Sequence, residues 1–148
     1  MYEVYKPDAQ TRLRDARRQN GLASRLRAMP EPRAFRYIRR LMTVEPDVAL
    51  QLAKRLLRSR PHLEALFVEA LRESNESTVR SPIKHLWRRL GAARTLGLIS
   101  AESAADPAIG RRAAYWLAAE LDMDDPATAE EVGRLGRGRR HPAKRPVV

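Results

Sequence analysis

Guanidinium groups are the chemistry this chain holds in abundance, with 25 Arg against 4 Lys. Arginine offers a planar fork of five donors that matches phosphate oxygens and carboxylates. The spacing of these residues is helical. In the stretch Arg33 to Met42, a rotation of about 100° per residue gathers Arg33, Arg36, Arg39 and Arg40 into an arc of about 120°. Phe35, Ile38, Leu41 and Met42 fill the opposite side. Such a helix docks on a protein core by one face and presents cations by the other, the arrangement that neutralises a phosphate backbone.

Three further faces have the same character. Lys54, Arg55 and Arg58 form the narrow polar side of a segment rich in Val48, Leu50, Leu52, Leu56 and Leu57. Arg80, Lys84 and Arg88 follow i, i+4 spacing, with Arg89 beside them and Ile83, Leu86, Trp87, Leu90 and Ala93 opposite. Arg111 and Arg112 share a side with Tyr115, against Ile109, Ala113, Trp116 and Leu117. Tyr37 borders the first face, where it either seals the core edge or stacks on a base or sugar. Trp87 belongs to its apolar arc and is expected in the core. Either these faces align into one groove for a nucleic-acid backbone or they point apart and merely disperse charge. Arg36, Arg39, Arg40, Arg55, Arg58, Lys84 and Arg88 are the expected phosphate contacts.

Catalysis has no foothold here. The sequence holds no G-x-x-x-x-G-K-[ST], no G-x-G-x-x-G and no H-E-x-x-H. There is no cysteine, which excludes disulfides and thiolate metal sites. His62, His85 and His141 lack ligand spacing. Asp122, Asp124 and Asp125 lack the glycine and closing glutamate of a calcium loop, so a helix end and a following Asp-Pro cap explain them better. The expectation is a protein with no catalytic residues, no metal and no cofactor. No run approaches the 18 or so apolar residues of a membrane span, so a cytosolic or nuclear location without membrane contact is expected.

The formal net charge of +11 attracts polyanions. RNA or DNA backbone is the expected partner, with an acidic protein as the alternative. The charge is uneven: residues 1–100 and 133–148 are basic, whereas 101–132 carry eight acidic and two basic residues. That acidic block either forms a solvated helix or meets a basic face of another subunit, including a further copy of this chain.

The elements that must position these residues are all helical. No segment alternates with period two, and Pro46, Pro61, Pro82, Pro107 and Pro126 each open a helix-favouring segment. Ser81, Asp106 and Asp125 precede three of them as natural caps. The pattern predicts helices near 8–28, 33–43, 46–59, 62–74, 81–97, 107–122 and 126–134. They form an all-α domain over 1–132, as an antiparallel bundle or a short array of helical hairpins. The 62–74 helix, apolar nearly all round, is the expected centre. The arginine-ringed 8–28 segment is expected to dock loosely and to break at Gly21. Arg94 falls at the edge of an apolar arc, so either the helix bends at Gly91 or Arg94 pairs with a carboxylate. Residues 133–148 read as a flexible basic tail.

Two resemblances bear on function. Ser77-Thr-Val-Arg-Ser-Pro-Ile-Lys-His-Leu-Trp-Arg-Arg-Leu90 with Leu96-Gly-Leu-Ile99 resembles the recognition helix and exit of winged-helix DNA-binding domains. That resemblance implies Arg80, Lys84 and Arg88 facing a DNA groove. Pro82 inside the helix and the Ala-rich stretch after Ile99 depart from that pattern. In length, helicity, basic charge and lack of catalytic residues, the whole chain resembles the small subunit of CRISPR effector complexes. This second resemblance implies a subunit that holds nucleic acid by charge and occasional stacking, while base pairing supplies sequence choice.

Overall fold

A computed structural model describes residues 8–137. Eight helices fill them: α1 (Ala9–Arg27), α2 (Glu31–Leu41), α3 (Pro46–Leu56), α4 (Arg60–Arg72), α5 (Arg80–Leu90), α6 (Ala92–Ala105), α7 (Pro107–Glu120) and α8 (Pro126–Arg137). No strand occurs among the described residues. The helix starts follow local chemistry. Pro46, Pro61, Pro107 and Pro126 sit in first turns, where a missing N–H costs nothing. Carboxylates of Asp8, Asp106 and Asp125 accept the N–H groups of Thr11, Ala108 and Thr128 at 2.7, 3.2 and 3.0 Å.

Four boundaries differ from the sequence reading. The expected 81–97 helix is two helices, broken at Gly91, whose φ of 91° and ψ of 151° suit glycine alone. The second of them runs on to Ala105. Ser81 is not the cap of α5, which begins at Arg80; its hydroxyl donates instead to Asp47 Oδ1 at 2.7 Å. Gly21 does not break α1: it is itself exposed, and the helix runs through it to the buried Leu22 and Ala23. Residues 133–137, read as the start of the tail, continue α8 because Leu135 finds a buried place. The remainder of that expected tail, 138–148, lies outside the described residues.

The helices stack as an array of hairpins. Each packs on the next helix and, α2 apart, on the next but one; α2 meets α4 through the Phe35–His62 stack and the Arg39–Glu69 pair. Odd-numbered helices α1, α3, α5 and α7 therefore form one layer, and even-numbered α2, α4, α6 and α8 form the other. Within a layer the helices run parallel: Asp47 near the start of α3 meets Ser81 and His85 of α5, while Lys54 and Leu57 at its end meet Arg89. This is the quasi-one-dimensional order of helical-repeat proteins, in which every unit touches only its neighbours.

The core is the seam between the layers. Leu26, Ile38, Leu50, Leu52, Leu57, Leu66, Phe67, Leu71, Ile83 and Leu86 are fully buried in one continuous cluster. α5 is flanked by α3 and α7 in its own layer and backed by α4 and α6. The expected centre, α4, supplies Leu63, Leu66, Phe67 and Leu71 to the core but leaves Ala65 exposed and Val68 half-exposed. The arginine-rich α1 anchors only through its second half, where Leu22, Ala23 and Leu26 are buried; Leu13 stays 53% exposed. At the other end, Gly110 lets α7 approach α6 and α8. A Cβ there would collide with the Ser103 hydroxyl and sit 3.2 Å from Leu135.

Two glycine substitutions separate helix from break. Gly91→Ala imposes a side chain on a backbone conformation worth roughly 1–3 kcal/mol of strain, and thermal unfolding should show the loss. Gly21→Ala, with open space around it, should stabilise by about 0.5–1 kcal/mol because α1 is continuous there. A destabilised Gly21→Ala variant would contradict the unbroken helix.

Candidate nucleic-acid interface

The two layers treat their arginines differently. In the even layer, three pair with carboxylates of the neighbouring helix: Arg39 with Glu69 at 2.8 Å, Arg72 with Glu102 at 2.6 Å and Arg94 with Glu64 at 2.6 Å. Arg39 and Arg72 stand 33 positions apart, as do Glu69 and Glu102, so this ladder reports the hairpin repeat. Both alternatives for Arg94 are realised, since the chain breaks at Gly91 and Arg94 binds a carboxylate. Hydrogen bonding from its guanidinium is the main reason that the Glu64 carboxyl lies below its usual range. Exposed pairs of this kind add little stability each; their effect here is to fix the register of α2, α4 and α6.

In the odd layer Arg18 of α1 pairs with Glu45 just before α3 at 2.6 Å, and the remaining links are neutral and mixed contacts. Gln19 Nε2 of α1 donates to Gln51 of α3 at 3.1 Å, and Gln51 Nε2 donates to Asp47 Oδ2 at 2.7 Å. Asp47 Oδ1 then accepts from Ser81 and lies 2.9 Å from His85 Nε2, both on α5. Burial pushes the Asp47 carboxyl up, but the hydrogen bonds from Ser81, His85 and Gln51 outweigh it and hold the carboxyl below its ordinary value.

This stitching leaves cations facing outward. The odd-layer helices carry fourteen Lys and Arg against three acidic residues, whereas the even-layer helices carry nine against six. Lys54, Arg55, Arg80, Lys84, Arg88 and Arg111 are exposed, and Arg112 is half-exposed. No carboxylate of the described residues forms a salt bridge with any of these seven. α3, α5 and α7 lie side by side in one layer, and these cations stand on their exposed arcs. The α2 face, with Arg33, Arg36, Tyr37 and Arg40 exposed, belongs to the other layer and does not join them.

Three arginines of the expected basic faces are engaged or placed otherwise. Arg39 is held by Glu69, as described. Arg89 turns under its helix and donates to the carbonyls of Lys54 and of Leu57, the latter at 2.6 Å. The end of α3 leaves carbonyls without helical partners, and a guanidinium satisfies them. Arg58 lies beyond the end of α3, in the connection to α4, rather than on the helical face. Its backbone N–H and that of Ser59 donate to the Glu31 carboxylate. Burial pushes that carboxyl up, and these backbone donors, with His62, bring it below its usual range.

The aromatic residues also sort themselves. Trp87 is half-buried at the α5–α7 edge, its indole N–H donating to Glu120 at 3.3 Å and its ring 5.4 Å from the Arg88 guanidinium. Tyr37 is 41% and Tyr115 is 72% exposed. Beside Tyr115 opens a groove of about 830 Å³, lined by Ser74 to Ser77 of the α4–α5 connection and by Arg111, Arg112 and Trp116. Arg80 leans over the Trp116 ring, 4.9 Å from its centre. Sequence reasoning placed Trp116 on the apolar side and did not include the 74–77 loop, because their meeting is a tertiary event between α4 and α7.

The winged-helix geometry is not present among the described residues: the stretch after Ile99 is helix to Ala105, and α5 is enclosed on both flanks. Those residues hold no group of three side chains placed to bind a metal ion and no helix long and apolar enough to cross a membrane. No protein-family model, curated protein or solved structure matches the chain.

Neighbouring α5 arginines should behave differently on truncation. Arg89→Ala removes the cap on α3 and should cost about 1–2 kcal/mol, whereas Arg88→Ala should stay within about 0.5 kcal/mol; chemical denaturation measures both. Asp47 predicts a pH dependence. Its folded carboxyl titrates below the ordinary value of 3.8, so its stabilisation is complete above that value and fades as pH falls through the lower one. Between about pH 5 and 3, the wild type should therefore lose stability more steeply than Asp47→Asn.

Proposed function

We propose that this protein is a non-enzymatic nucleic-acid-binding subunit that grips phosphate backbone with the outer face of α3, α5 and α7. The observation that carries the reading is the asymmetry between layers. One layer neutralises three of its arginines within the fold, and the other leaves Lys54, Arg55, Arg80, Lys84, Arg88, Arg111 and Arg112 without an acidic partner. An uncompensated cationic face repels itself, and a polyanion relieves that repulsion while releasing its own counterions.

Recognition on this face is independent of base sequence. The cations rise from packed, parallel helices rather than from one helix free to enter a major groove, so they meet backbone and not base edges. A subunit with one binding face and no catalytic group fits a larger nucleoprotein assembly, and the small subunit of an RNA-guided CRISPR effector complex is one assembly of that kind. The cationic stripe of α2 faces the other way and is available to a second partner.

The test is a charge reversal with an internal control. Lys84→Glu/Arg88→Glu should lower affinity at 150 mM salt by tenfold or more, equally for unrelated sequences. It should also flatten the salt dependence by about one to two ions. Arg36→Glu/Arg40→Glu makes the same charge change on the opposite layer and should cost less. Equal losses from the two pairs would show that net charge, not this face, does the binding. An unmodified protein that ignores nucleic acid but retains an acidic protein would leave the adaptor role instead.

A further inference from the structure

The groove beside Tyr115 has more in it than backbone binding requires. Its floor and one wall are α7, with Arg111, Arg112, Tyr115 and Trp116; its other wall is the loop Ser74–Ser77. The loop is firmly built. Asn75 Oδ1 accepts the N–H groups of Ser77 and Thr78 at 2.7 and 3.1 Å, and the Thr78 hydroxyl accepts the Asn75 N–H at 2.9 Å. These bonds fix the turn that leads into α5, so the wall does not need ordering when a ligand enters.

Three features of the groove ask for a ligand. Tyr115 keeps 72% of its surface in water, although it stands next to a half-buried Trp116 in an edge-to-face pair at 4.9 Å. Its ring face is therefore open to a flat partner. Arg112 is half-exposed on the groove wall and forms no salt bridge among the described residues. Arg111 is exposed on the same helix one turn before Tyr115, and Arg80 lies over the ring of Trp116, which lines the groove. A planar ring platform beside two or three guanidinium groups is the recognition unit for a nucleotide whose base is unpaired. A duplex cannot use it, since its bases are stacked on one another.

We infer that the groove between the Ser74–Ser77 loop and α7 seats one unpaired nucleotide, its base stacked on Tyr115 and its phosphate held by Arg111 and Arg112, so that the protein prefers single strands. This inference rests on the backbone-binding face proposed above, with which the groove is continuous through Arg80. Backbone contacts along α3 and α5 supply affinity, and the groove adds a term that depends on the presence of a base but not on which base it is. Glu76, on the loop side, is a carboxylate facing the same space. It disfavours a second phosphate there.

Two probes of equal charge isolate that term: a short single-stranded thymidylate oligomer and its abasic counterpart. The wild type should bind the thymidylate about tenfold more tightly, the range of one stacked base. Tyr115→Ala should erase the difference without changing affinity for the abasic strand, and Tyr115→Phe should keep it. Tyr115 is exposed, so its truncation leaves the core untouched. In a Trp87→Phe background, Trp116 is the remaining tryptophan, and its fluorescence should respond to thymidylate and not to the abasic strand. Equal binding of both strands by the wild type, or a preference that survives Tyr115→Ala, would overturn the base seat while leaving the backbone face standing. Failure to bind either strand would remove the backbone face itself, and the seat with it.

Discussion

A helix in a two-layer array has neighbours beside it and beneath it and none above. That constraint governs this molecule. Each helix needs apolar residues on its inner face and flanks, and its remaining arc must face water. The core between the layers meets the first demand, with Leu50, Leu52, Phe67, Ile83 and Leu86 completely enclosed. The outer arcs are then free to be chosen for something other than stability. In one layer they hold three cross-helix ion pairs beside the unpaired arginines of α2; in the other, Arg18 of α1 pairs with Glu45, and the cations of α3, α5 and α7 have no salt-bridge partner among the described residues.

The contrast explains why similar arginines have different fates. Arg88 and Arg89 are adjacent in sequence and about 100° apart around α5. That rotation sends Arg88 outward beside Trp87 and turns Arg89 toward the end of α3, where unsatisfied carbonyls wait. Arg39 and Arg40 divide in the same way, one toward Glu69 and one toward solvent. Positive charge alone therefore does not mark a binding residue; position in the array does. The polar seam from Gln19 through Gln51 and Asp47 to Ser81 and His85 holds three odd-layer helices in register using one carboxylate. Their outward cations are left uncompensated as a result.

Much of the architecture was legible locally. Helix-opening prolines, aspartate caps and the amphipathic stripe of α2 are short-range signals, and they placed most of the elements within a few residues. Gly91 was visible as a weak point, though not as a full break, because its positive φ is set by where α6 must pack. The array itself was not legible. Its repeat lives in paired partners such as Arg39–Glu69 and Arg72–Glu102, about thirty residues apart in each case, and not in recurring sequence around them. The basic faces divided along the same line. The exposure of Lys54, Arg55, Arg80, Lys84, Arg88 and Arg111 follows from helical spacing, but the diversion of Arg89, the place of Arg58 beyond the end of α3 and the groove joining Ser74–Ser77 to Trp116 all depend on packing between elements distant in sequence.

The central claim is that phosphate is held by one layer and not by the other. Amide chemical-shift mapping of the 16.9 kDa protein during titration with a short single strand at 150 mM salt tests it directly. Shifts should cluster on the outer faces of α3, α5 and α7, around Arg55, Lys84, Arg88 and Arg111, with α4 and α6 unmoved. Shifts centred on the ion-paired face around Arg72 and Arg94, or none anywhere at that salt, would contradict it.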